Sequence, residues 1–124
     1  MKKFTQKEFN KFEIVVGYRQ CPQGDYSLIN DFGDCNEFGD DNEFGDNNDF
    51  GDTNEFGHGN KFGCFNKFGN LNISGDYNTF GDGSVLGDFN TFGHGNEFGD
   101  FNEFGIDNEF GDSNEFGDGN NPYA

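Results

Sequence analysis

At 124 residues the chain has room for one domain, and its 24 acidic side chains against seven Lys and Arg give a net charge of −17. That balance argues against direct contact with nucleic acid or anionic lipid, and no apolar stretch approaches the length of a membrane-spanning helix. Cys21, Cys35 and Cys64 have neither an even count nor a metal-like spacing, and no N-terminal run resembles a signal peptide, so a reducing cytoplasmic setting is expected, the host cytoplasm if the chain is phage-encoded.

The first 29 residues carry Lys2, Lys3, Lys7, Lys11 and Arg19 against Glu8, Glu13 and Asp25, a net of +2. Thr5-Gln6-Lys7-Glu8 has the spacing of a capping box and predicts a short helix with Phe9 and Phe12 on one face. Glu13-Ile14-Val15-Val16-Gly17-Tyr18 reads as a strand. The whole segment, 1–29, is expected to cap the repeat region and cover an edge that would otherwise recruit another chain.

Residues 30–119 are fifteen hexapeptides of the form Asn-x-Phe-Gly-Asp-x, with Asn first in all but one unit (Ser84) and Phe third in all but two (Ser74, Leu86). Gly is fourth in all fifteen and Asp fifth in ten. The repeat holds 21 acids with only Lys61 and Lys67, a net of −19. Acidity with low hydropathy is a signature of disorder, but thirteen Phe in register argue for order, since burying each contributes roughly 1.5–3 kcal/mol. Alternation along an extended segment puts Asn and Phe on one side and the second-place residue on the other. The fourth-place Gly predicts a corner in a backbone conformation that a Cβ opposes, beside turn-forming Asp and Asn. One unit is then a short strand plus a corner, and coiling the chain closes the Phe face inward. The fold class expected is all-β, a parallel β-solenoid. At 120–124 a tail is expected, because Pro122 has no ladder donor.

Written from its third residue, the unit is Phe-Gly-Asp-Asp-Asn-Glu (38–43), which resembles the aliphatic-Gly-x-x-small-x repeat of the left-handed parallel β-helix family. The resemblance covers all fifteen units and implies a left-handed parallel β-helix of three strands and 18 residues per coil, with five coils. One departure is that the family's core takes Leu, Ile or Val, and three Phe per layer are bulky. A wider or differently handed coil stays open, as in the four-sided pentapeptide-repeat helices, whose inward residue is Leu or Phe.

On an 18-residue coil the second-place residues stack as Asp31, Asp49, Lys67, Val85, Glu103; as Glu37, Glu55, Ile73, Thr91, Glu109; and as Glu43, Lys61, Thr79, Glu97, Glu115. Coils about 4.8 Å apart give roughly one charge per 1.3 Å, against about 1.7 Å in duplex DNA. Like charges in adjacent rungs repel by about 0.9 kcal/mol even in water, so stability alone does not select them. This predicts a non-enzymatic DNA mimic that inhibits or modulates a nucleic-acid-binding protein: a nuclease, a topoisomerase or a phage-defence effector such as a CRISPR complex. Acidic pentapeptide-repeat proteins that bind topoisomerases, and small acidic phage inhibitors of host nucleases, are analogies of charge and size. The expected contacts are Glu37, Asp40, Glu43 and Asp46 at one end and Glu97, Asp100, Glu103, Glu109, Asp112 and Glu115 at the other. The alternative is that acidity only keeps the protein soluble.

Apolar residues interrupt this pattern in the middle. Leu71, Ile73, Tyr77, Val85 and Phe89 form a candidate patch for a homodimer or partner, the alternative role of the chain being a self-assembling interaction module. The bland account places them under the N-terminal segment or in the space left by Ser74 and Leu86. His58, Asp76 and His94 fall in one fifth-place column, where either imidazole could pair with Asp76. No catalytic constellation, metal site or cofactor is expected. Calcium binding by the Asp-rich turns is a weaker alternative, and no regular Thr face suggests ice binding.

Overall fold

The computed structural model describes residues 1–122, and these form a parallel β-solenoid of about five coils with almost no helix. Strands pair in parallel 18 residues apart, as in Val85 with Glu103 and Glu37 with Glu55. The winding has three faces: the first carries Asp31, Asp49, Lys67, Val85 and Glu103, the second Glu37, Glu55, Ile73, Thr91 and Glu109, and the third Glu43, Lys61, Thr79, Glu97 and Glu115. A four-sided coil is therefore excluded.

Hydrogen bonding explains the six-residue period. In the unit 60–65 the N–H groups of Lys61, Gly63 and Cys64 donate to the preceding coil, at Asn42 O, Gly45 O and Asp46 Oδ1. Those of Asn60, Phe62 and Phe65 donate to the following coil, at Asn78 Oδ1, Thr79 O and Asp82 O. Every backbone donor of the unit is thus used, and two of the six acceptors are side chains. Where a corner turns the carbonyl away, the first-place Asn and the fifth-place Asp supply the missing oxygen. The buried Asn side chain also donates outward, Asn60 Nδ2 to Gly39 O at 3.1 Å. This satisfies a polar group that is costly to bury unpaired.

The corner is not where the fourth-place Gly predicts it. All fifteen sixth-place residues have positive φ, between 55° and 61° for the non-glycines, whereas only Gly33 does so among the fourth-place glycines. The fourth place excludes a Cβ for another reason: one on Gly99 would lie 2.1 Å from Asp82 Oδ1 and 3.0 Å from the backbone of Gly81. Glycine lets coils approach, and side chains such as Thr53 and Phe65 sit in the left-handed region instead.

Phenylalanine fits the triangular interior by packing differently within and between layers. Phe50 and Phe56 meet edge to face in one coil, with centroids 5.5 Å apart and planes at 82°. Phe50 and Phe68 stack between coils at 4.8 Å and 5°. Both are preferred geometries of the aromatic quadrupole. The ladder breaks at Ser74 and Leu86, leaving a cavity of about 10 Å³ lined by Phe56, Phe68, Phe80 and Phe92.

At the N-terminal end a helix, α1 (Gln6–Asn10), starts with the expected Thr5–Glu8 capping box. It buries Phe9, which together with Phe4 and Phe12 lies over Tyr26, Phe32 and Phe38. The strand expected over residues 13–18 is broken into a hairpin, because Val16 and Gly17 both take positive φ between Ile14–Val15 and Tyr18–Cys21. Tyr18–Cys21 then runs parallel to Asn36–Phe38, so the winding begins before residue 30. Arg19 heads the inward Asn column, donating from Nη1 to Asn36 Oδ1 at 3.2 Å, with its guanidinium over the Phe9 ring. At the other end pairing does not stop before proline: Asn121–Pro122 aligns with Glu103–Phe104, since a third-place N–H points away from the preceding coil and its loss breaks no bond there. Residues 123–124 of the expected tail lie outside the described residues.

Candidate partner-binding surface

The ten acids singled out from the sequence divide into two chemical groups. Asp40, Asp46 and Asp100 occupy the fifth place, and each uses Oδ1 to accept the amide N–H of the residue one coil on, His58, Cys64 and Asp118, at 2.7 Å. Asp112 occupies the same place in the last described coil. From residue 34 to residue 100 every fifth-place side chain is such an acceptor, including Asn70, Cys64 through Sγ at 3.4 Å, and both histidines through Nδ1. The place selects an acceptor, and a carboxylate serves because charge-assisted bonds are the stronger ones.

Of the two imidazoles that could pair with Asp76, His58 is the one whose ring reaches it. His58 Nδ1 is 2.8 Å from the Asp76 amide nitrogen and 3.8 Å from the Asp76 carboxylate. A nitrogen accepting from the amide cannot also carry a proton toward the carboxylate, and the shorter contact decides. Among the described residues no group of three or more His, Cys, Asp or Glu is disposed to hold a metal ion.

The remaining six, Glu37, Glu43, Glu97, Glu103, Glu109 and Glu115, are second-place residues on the outside of the sheets. Along the axis they lie in the first coil (Glu37, Glu43) and the last two (Glu97, Glu103, Glu109, Glu115), and around it they are spread over all three faces. Like charges are direct neighbours at Asp31–Asp49, Glu37–Glu55 and Glu97–Glu115. Lys61 and Lys67 lie one rung beyond Glu43 and Asp49. Glu37 accepts from Gln20 Nε2 at 2.8 Å. No other second-place carboxylate has a hydrogen-bond or ion-pair partner among the described residues.

The apolar set does not fill the core and does not lie under the N-terminal segment: Leu71, Ile73, Tyr77, Val85 and Phe89 are 42–72% exposed. Leu71 and Phe89 are successive residues of one edge column, bracketed by Ile73 on the second face and Val85 on the first. Tyr77 belongs to the next edge, where its ring lies over Gly95. Phe65 covers Gly83 and Phe101 covers Gly119 in the same way. A bulky sixth-place residue followed by Gly 18 positions later is thus a structural pair, a signal present in the sequence but visible only once the coil length is known.

Burial raises the pKa of two ionisable groups beneath the surface. Desolvation pushes the Cys21 thiol up to about 12, opposed by Arg19 and aided by Glu37. Burial, with Cys21 beside it, pushes the Tyr26 phenol well above its ordinary range, and its hydroxyl donates to Pro22 O. Cys35 and Cys64 are free and half-buried. No helix among the described residues is long and apolar enough to cross a membrane.

The fold and its surface define an acidic parallel β-solenoid with an 18-residue coil. Comparison with protein families, with curated proteins and with solved structures finds no match to this chain.

Proposed function

We propose that this solenoid, of the left-handed hexapeptide-repeat type, is a non-enzymatic DNA mimic that occupies the cationic groove of a nucleic-acid-binding protein. The observation that carries the reading is the second-place row of carboxylates, which apart from Glu37 have no hydrogen-bond or ion-pair partner among the described residues and which repel one another at Asp31–Asp49, Glu37–Glu55 and Glu97–Glu115. Fifth-place acids carry less of it, because folding already accounts for them. Partners of this chemistry are nucleases, topoisomerases and nucleoprotein effectors, met in the cytoplasm; duplex DNA is a competitor rather than a ligand.

The test is inhibition of DNA binding by such enzymes, competed with duplex DNA and repeated across salt. Glu97→Lys, Glu103→Lys, Glu109→Lys and Glu115→Lys together should weaken inhibition, and added salt should weaken it further. Tight inhibition indifferent to both would overturn the reading. A second reading, self-association, is favoured by the exposed Leu71–Phe89 edge. A Leu71→Asp, Phe89→Asp double variant that scatters light as the parent does would remove it.

A further inference from the structure

We propose that a groove on the third face receives an arginine side chain of the partner, an inference that rests on the function proposed above. Its floor is the ladder Thr79–Glu97–Glu115 and its wall the edge column Tyr77–Gly95–Ser113. Gly95 leaves the gap in the wall, and the Tyr77 ring lies across it while remaining 72% exposed. Glu97 and Glu115 are adjacent rungs, both exposed and both without a partner among the described residues; the nearest cation in the column, Lys61, is a rung beyond Thr79. The groove therefore offers an aromatic face beside two carboxylates that repel each other until a cation enters.

A guanidinium meets this arrangement better than an ammonium. Its planar fork donates to two carboxylates at once while its face stacks on the ring, whereas lysine is a point charge with strongly held water. The other like-charged rungs lack the wall. Cys35 and Thr53 end the units just before those of Glu37 and Glu55, and Glu37 is already engaged by Gln20.

The experiment titrates a capped tetra-arginine peptide and its tetra-lysine counterpart into the full chain by calorimetry and amide NMR. The arginine peptide should bind roughly 2–5-fold more tightly, with shifts centred on Thr79, Glu97 and Ser113. Tyr77→Leu keeps a cover on Gly95 and should erase the arginine preference without moving the unfolding midpoint. The pair Glu97→Gln, Glu115→Gln should weaken binding roughly fivefold, and Glu37→Gln, Glu55→Gln, which removes the same charge from another face, should leave it within about twofold. Equal losses from the two pairs, or no preference for arginine in the parent, would show generic charge attraction and overturn the groove. Arginine selectivity at this site without inhibition of any DNA-binding enzyme would sink the mimicry and leave the groove standing.

Discussion

His58 Nδ1 accepts the backbone N–H of Asp76, 18 residues on, at 2.8 Å, and the N–H of His58 itself is taken by Asp40 Oδ1 at 2.7 Å. A histidine, two aspartates and a run of amides thus form one continuous rail along an edge of the solenoid, continued by His94 and Asp112. The requirement is geometric: an acceptor must stand at that height to meet an amide that no carbonyl reaches.

Replacement of His58 should therefore follow acceptor capacity rather than charge. His58→Asp and His58→Asn should be close to neutral, while His58→Leu should cost about 0.5–1.5 kcal/mol, the net worth of one hydrogen bond. Denaturant unfolding of the three variants at neutral pH checks this. A leucine variant as stable as the asparagine variant would show that water satisfies the amide equally well.

The inward Phe and Asn and the outward Glu were legible because period-2 alternation within a strict hexapeptide leaves few alternatives, and the 18-residue coil was legible only through the resemblance of the repeat to the left-handed β-helix pattern. Three features were not. Gly99 reads as a corner from sequence because both a left-handed φ and a close approach exclude a Cβ, and only the position of Asp82 Oδ1 tells them apart. The bulk of three Phe per layer left a wider coil open because volume was counted without orientation; the edge-to-face arrangement of Phe50 and Phe56 resolves it. The candidate site was least legible, since a carboxylate exposed without a partner among the described residues, Glu97, and one accepting an amide, Asp100, have the same charge, and only their places in the coil separate them.

Ser74 marks a vacancy in a column of rings. Phe38 stacks on Phe56 at 5.2 Å and Phe92 on Phe110 at 5.1 Å, while the coil between them supplies a serine whose hydroxyl accepts from Asn78 Nδ2 at 3.2 Å. Ser74→Phe restores the column, and Asn78 Nδ2 keeps its bond to Gly57 O at 3.0 Å. Burial of one phenyl ring favours the variant by roughly 1.5–3 kcal/mol before the lost hydrogen bond and the strain of widening a cavity of about 10 Å³ are subtracted. The melting temperature should rise, by about 4 °C per net kcal/mol for a domain of this size. A lower melting temperature would mean that the neighbouring coils have already closed on the smaller side chain.

Alkaline pH should unfold the protein through its N-terminal coil. Cys21 titrates from 9.0 in the unfolded chain to about 12 when folded, because burial disfavours the thiolate. Tyr26 is raised above its ordinary 10.0 for the same reason. The unfolded state releases these protons first, so stability is complete below pH 9 and falls as pH rises through the window that ends at the folded values. The slope is about 1.4 kcal/mol per pH unit for each group inside its window. Guanidinium unfolding between pH 7 and 11.5 should show the midpoint constant to about pH 9 and declining above it. Cys21→Val should hold the plateau to about pH 10, where Tyr26 begins to act. A decline starting at the same pH in both proteins would place its cause outside Cys21, and a flat profile in the parent would mean that both groups reach solvent in the folded state.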